Sequence, residues 1–375
     1  MVDPSLPIKG IGMKQVIHRW LEQYFGNEEA VLLAVILVIS LVVMATLGTV
    51  LGPVFTALIL AFLLQGLVNT LRRRGFSQVM AITTTYLLFV LGFIAVLIIL
   101  IPIVGRQTSL LLSEVPNMVG KLRELLITLP EKYSDYITPD QFQMIWGRVS
   151  LEMANLAEQV LSLSLSSFPG LLGIMIYLFL VPLLVLFMLK DKDILIGFLS
   201  NMLPKERTVM TTIWSEMDVQ FANYIRGKAI EILIVGAASF VAFLVLDLNY
   251  AALLALLVGL SVLIPYIGAT VVTIPVLLVG YMHWGYSGDF FWLFMVYGFI
   301  QFVDGNLLVP LLFSEVVNLH PVAIIIAVLF FGGIWGFWGV FFAIPLATLV
   351  KAVYNAWPRN SSDPNDDIEL VTDAK

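Results

Sequence analysis

Long, nearly uncharged apolar runs set the pattern of this chain. Five stand out, at 31–50, 53–68, 79–103, 168–189 and 230–246. A helix needs about 20 apolar residues to cross the roughly 30 Å hydrocarbon core of a bilayer. Backbone groups have no partner in lipid, so uncharged runs of this length must be helices. The ten-residue alternation of a membrane barrel is absent. The first run carries no small-residue cleavage pattern and is followed by another apolar run, so it reads as a membrane helix rather than a signal peptide. The pattern predicts an all-α polytopic membrane protein with six to eight spans. Two re-entrant or broken-helix hairpins are expected within it.

Polar stretches divide the runs into segments. Residues 1–30 form a segment on the side of Lys9, Lys14 and Arg19, and 31–103 hold helices one to three. Arg72, Arg73 and Arg74 belong on that same side, which the positive-inside rule makes cytoplasmic. Residues 104–167 then lie outside the membrane on the opposite face. There Phe142, Ile145, Val149, Met153, Leu156, Val160 and Leu163 keep a helical period. Helix four, 168–189, returns the chain to the cytoplasm for 190–228. In that segment Val209, Ile213, Met217, Phe221 and Ile225 recur every four residues, a stripe that packs on other helices or lies at the membrane interface. Residues 229–354 form a core of interrupted helices, and 355–375 an acidic tail with little to bury. Both termini are expected to be cytoplasmic.

The core is where the apolar pattern breaks. From Ala229 to Val350 there is no Lys or Arg, yet Glu231, Asp247, Asp289, Asp304 and Glu315 all occur there. The stretch 250–282 is interrupted by Ile264-Pro265-Tyr266-Ile267-Gly268, and 321–350 by Gly332-Gly333 and Gly336. Each arm has about 13 to 17 residues, short for a full crossing. Paired Pro/Gly-interrupted segments mark transport sites, with unwound backbone able to bind solute. The plainer reading is that Pro and Gly merely kink the helices.

Between the two breaks lies Tyr297–Asn306, where Gln301 and Asp304 share a helix face. An ionisable residue in an apolar segment costs about 2.5 to 3.5 kcal/mol, which makes Asp304 a functional candidate. Gly305 and Asn306 are expected to open the helix, adding carbonyls to the Asp304 carboxylate and the Gln301 amide. Such oxygens suit a proton or a partly dehydrated cation; a helix cap is the alternative. Glu231 is a coupling candidate or a snorkelling partner of Lys228. Asp247 and Asp289 read as solvated span ends, and His320 as interfacial. Trp335 and Trp338 line a passage or anchor at the interface. The candidate pathway is therefore Gln301, Asp304, Asn306, Pro265, Tyr266, Gly268, Gly332, Gly333 and Glu231.

Composition narrows the function further. Hydrophobic residues make up 60% and charged ones 12%, with a mean hydropathy of +0.97, against about 25% charged in soluble domains. The net charge of −6 offers no basic face for nucleic acid. Without cysteine, thiolate metal sites and disulfides are excluded. Three scattered histidines give no metal site, and no cofactor is expected. No phosphate loop, zinc-protease motif or serine nucleophile elbow is present, which argues against an enzyme and an ATP motor.

The motifs resemble those of the autoinducer-2 exporter family of bacterial membrane proteins, within it the permease branch called PerM. The likeness is carried by Leu51-Gly52-Pro53, Asn69–Arg73, Leu189–Asp193, Asn223–Lys228, Leu263–Ala269, Asp304–Pro310, Asn318–Pro321 and Gly332–Thr348. It runs over nearly the whole chain. Many relatives have Glu where this chain has Asp304. The resemblance implies an inner-membrane exporter of a small solute, with Na+ or H+ as candidate coupling ions, and a homo-oligomer, a pentamer by family likeness. Sodium/proton antiport is the first alternative, and a transport-inactive scaffold for envelope assembly the second.

Overall fold

The computed structural model describes residues 28–48, 50–127, 168–203, 207–265, 267–313 and 319–356, with isolated positions between 143 and 155. The seven-residue stripe expected between Phe142 and Leu163, the 357–375 tail, Tyr266 and Glu315 lie outside the described residues. Among those described, every regular element is helical.

The elements are α1 (Glu28–Leu47), α2 (Gly52–Arg73), α3 (Gln78–Ala95), α4 (Ile101–Ile127), α5 (Phe168–Lys190), α6 (Lys192–Asn201) and α7 (Thr208–Val245). Then come α8 (Ala251–Ser261), α9 (Ile267–Trp284), α10 (Gly288–Val303), α11 (Val309–Phe313), α12 (Pro321–Trp335), α13 (Phe337–Phe341) and α14 (Ala343–Ala356). Two five-residue π turns, Val96–Leu100 and Asp304–Leu308, join α3 to α4 and α10 to α11. Six helical stretches are long and apolar enough to cross a membrane, and Val31–Leu47, Ala251–Ser261 and Pro321–Trp335 are shorter apolar helices. This is an all-α polytopic membrane protein.

Two helices outrun their apolar patterns. The third run does not end at 103; its helix continues through the π turn to Ile127. Gln107 and Met118 explain the extension. The Gln107 amide oxygen accepts from Leu253 N (2.8 Å), capping α8, and Met118 is buried in the same core as Phe243 and Leu254. Similarly, the cytoplasmic stripe and the fifth span form one helix, α7, of 38 residues, about 57 Å long at 1.5 Å per residue. The stripe packs on other helices, as its period predicts. Met210 and Ile213 are buried with Leu33 of α1 and Ala352 of α14. The Glu29 carboxylate accepts from Met210 N (2.8 Å), so α1 caps the start of α7.

Both interrupted stretches fold as hairpins against α7. In the first, α8 runs antiparallel to α7, its Gly259 meeting Gly236 with a built Cβ only 3.1 Å from the Gly236 Cα. The tip, described over 262–265, then leads into α9. Gly268 sits there because any Cβ would strike the Ser261 carbonyl. α9 pairs with α10 through Gly280 against Leu293 and Tyr281 against Phe290. α8 has only 11 residues, about 17 Å, and falls short of the bilayer core. In the second hairpin Gly336 turns the chain at φ +61°, a backbone region that side-chain-bearing residues rarely enter. Gly339 then packs directly on the Phe331 carbonyl. Leu263 and Ile264 of the first tip share a core with Phe341, Phe342 and Ile344 of the second hairpin.

Candidate functional site

α7 organises the site with three inward-facing side chains, Tyr224, Lys228 and Glu231, all buried. Their spacing of four and three residues puts them on one helix face. The Tyr224 hydroxyl donates to the Phe341 carbonyl (2.7 Å), where the second hairpin is broken. One turn later, the Lys228 ammonium donates to the Val262 carbonyl (2.7 Å) at the tip of the first hairpin. These donors satisfy carbonyls that interrupted helices leave open. One helix face thus holds both breaks.

Lys228 also pairs with Glu231 (Nζ to Oε2, 2.8 Å), and its ammonium lies 5.1 Å from the centre of the Phe313 ring. Gly227 lets that ring approach, since a Cβ there would come within 2.6 Å of it. The expected snorkelling pair is therefore a different object. Lys228 is 5% exposed and Glu231 2%, so neither charge reaches the interface. The α8–α9 tip and α11 close over them. Such a pair owes its persistence to its extra hydrogen bonds, because desolvating two charges offsets most of their attraction.

Asp304 completes the cluster. It opens the π turn Asp304–Leu308, is 7% exposed, and interacts electrostatically with both Lys228 and Glu231. Its Oδ1 is buried without a hydrogen-bond partner. The cluster thus holds two carboxyl groups and one ammonium. Among the described residues there is no group of three or more His, Cys, Asp or Glu placed to hold a metal.

The other sequence candidates separate. Gly305 and Asn306 do not open the helix; it widens into a π turn instead. Two positions beyond Asp304, Asn306 faces outward, and its amide donates to Phe302 O (2.9 Å) in its own helix. Gln301 joins a different network. Its amide donates to the Tyr297 hydroxyl (3.0 Å), which lies 3.0 Å from Thr273 Oγ1, itself donating to Ala269 O (2.7 Å). Thr273 has spent its only hydrogen on Ala269, so Tyr297 donates to Thr273. This satisfied chain ties α10 to α9.

Pro265 is half-buried in the first tip and Gly268 buried beside it. In the second hairpin a Cβ on Gly332 would come within 2.8 Å of Val340, whereas Gly333 is exposed and has open space where a side chain would stand. Trp335 and Trp338 both pack on Phe55 and Phe342. Asp247 and Asp289 are exposed at helix ends, and exposed His320 caps α12 by accepting from Val322 N. Sequence reasoning left Lys228 and Tyr224 out of the site. The signals were present: Lys228 is the last cation before a long cation-free stretch, and Tyr224 stands one turn before it.

The profile of AI-2E family transporters matches residues 31–359. The chain belongs to this family. Among AI-2E relatives, the Escherichia coli K12 protein named "Putative permease PerM" is 43% identical over 346 residues, covering 92% of this chain and 98% of its own length. The "Putative transport protein YueF" of Bacillus subtilis is 26% identical, covering 78% and 80%. The "AI-2 transport protein TqsA" of Escherichia coli K12 is 26% identical, covering 68% and 74%. These AI-2E names describe transport and not catalysis. They span proteins whose identity to this chain is low enough for the carried solute to differ.

Proposed function

We propose that this protein is an inner-membrane permease that exports a small solute by a gradient-driven or facilitative mechanism. The observation that carries the reading is the unpartnered Asp304 carboxylate oxygen, buried beside the Lys228–Glu231 pair where two broken hairpins meet. A bilayer-embedded protein gains no stability from such a group, so its retention points to a coupling role. Glu231 and Asp304 are the ion-sensitive pair, and Pro265, Gly268 and Gly332 shape the hairpins beside them. The test is flux in proteoliposomes. Asp304→Asn should abolish gradient-driven transport while the variant folds and extracts normally; unchanged flux would remove Asp304 from the mechanism.

Sodium/proton antiport is a second reading, favoured by the same surplus carboxyl group, whose charge one monovalent cation balances when it is ionised. Sodium- or lithium-driven pH recovery in inverted vesicles separates it from solute export. α1, α7 and the end of α14 gather at one end of the molecule through Leu33, Met210 and Ala352. That supports both termini on one side, cytoplasmic by the positive-inside rule. A homo-oligomer, a pentamer by family likeness, is part of the same proposal.

A further inference from the structure

One hydrogen bond from Lys228 holds the first hairpin tip, and the same ammonium serves a carboxylate. An ammonium has three N–H donors. Two go to Val262 O and Glu231 Oε2, and the head lies over the Phe313 ring. Asp304 lies on a turn packed against α7, makes no ion pair with that ammonium, and keeps Oδ1 buried and without a donor. A carboxylate outcompetes a neutral carbonyl as acceptor, its charge-assisted bond being about twice as strong. When Asp304 is ionised, Lys228 has a better acceptor than Val262. When it is protonated, that pull disappears.

Among the described residues, the titratable groups around Asp304 are few. From α7 come Tyr224, Lys228 and Glu231. On its own helix Tyr297 stands two turns back, its hydroxyl engaged by Gln301 and Thr273. The tip residues Val262, Leu263, Ile264 and Pro265 and the α11 residues 309–313 bring no ionisable group. Arg226 is exposed and lies over Phe62 of α2 instead. A proton neutralises the surplus carboxylate without placing a second cation beside the ammonium, whereas sodium, the ligand of the antiport reading, would sit next to it.

We propose that Lys228, Glu231 and Asp304 form a binding site for a single proton whose occupancy latches the α8–α9 tip. With the proton on Asp304, Lys228 stays on the Val262 carbonyl and the tip is held. Loss of that proton to water leaves the carboxylate ionised and draws the ammonium from Val262 to Asp304. The freed carbonyl then needs water, so release of the tip and its wetting occur together. No other bond forms or breaks. This deepens the transport reading and rests on it only for the consequence, because the latch can be observed without any solute.

The chain has no cysteine, so one introduced thiol reports on the tip alone. Ile264→Cys, half-buried at the tip, is labelled by a maleimide in purified full-length protein. Tyr286→Cys, at a position 94% exposed, corrects for thiol ionisation. The corrected rate should rise roughly tenfold as the pH is raised through the titration of Asp304, because the local opening equilibrium shifts. Adding Asp304→Asn, an uncharged isostere, should hold the rate low at every pH. Adding Lys228→Met should hold it high throughout, where that variant folds. A corrected rate independent of pH, or a full pH response in Asp304→Asn, overturns the latch. A responsive latch without flux of any solute leaves the proton site standing and removes the transport reading. Flux with an unresponsive tip does the reverse.

Discussion

The helix running from Gln78 to Lys121 and the helix α7 are both far longer than a bilayer is thick, yet they solve opposite problems. None of the most apolar window of the first is buried in the protein; Leu87, Leu88, Leu91, Ile98 and Ile99 all face outward. α7 turns more than a quarter of its window inward, and what it turns inward is partly charged. Through that window the first helix satisfies its own backbone and presents hydrocarbon to lipid, so almost any apolar side chain serves there. α7 instead satisfies other helices' backbone, through Tyr224 and Lys228, and each donor has a specific acceptor. Apolar surface gives a span its address, while polar satisfaction gives it a position.

That contrast ranks the effects of substitution. Lys228→Met should be the most damaging, since it strands Glu231 and Asp304 together and frees the Val262 carbonyl. Losing one partner of a buried pair costs about 3–5 kcal/mol, read as a lower unfolding temperature in detergent. Next comes Gly268→Val, which forces the α8–α9 tip apart from the Ser261 carbonyl; overpacking of this kind costs about 1–3 kcal/mol, with transport impaired as well. Tyr224→Phe leaves the Phe341 carbonyl unpaired for about 1–3 kcal/mol, visible as faster amide exchange in α13. Leu91→Ala on the outward face of the long helix should move stability by less than about 0.5 kcal/mol. If Leu91→Ala proved as costly as Tyr224→Phe, the division between lipid-facing and position-setting helices would fail.

The sequence made the lipid-facing half plain because one rule, uncharged length, governs it. α1, α2 and α5 fall within a few residues of the runs that announce them. Asp304 was legible for the same reason, as a charge where charge is costly. Lys228 was not, because it stands at the edge of an apolar run, where a lysine normally reaches water. Its burial comes from the Val262 tip and Phe313, contacts more than thirty residues away in the chain. Asn306 misled in the opposite way. The expected opening at Gly305 and Asn306 would have brought it to Asp304, but the helix continues as a π turn, and a residue two positions on faces away. Gln301 shares the expected face, yet Tyr297 and Thr273 claim its amide. Periodicity places a residue on a face; it does not choose that residue's partner.

The account stands on a buried cluster with one more carboxylate than ammonium. Infrared difference spectroscopy across a pH step observes that surplus directly, through the carbonyl stretch of a protonated carboxylic acid in a dry site. The band should be present in the wild-type protein, vanish on deprotonation, be lost in Asp304→Asn and survive in Asp289→Asn at the exposed helix end. A spectrum with no such band, or one that Asp304→Asn leaves untouched, would contradict it.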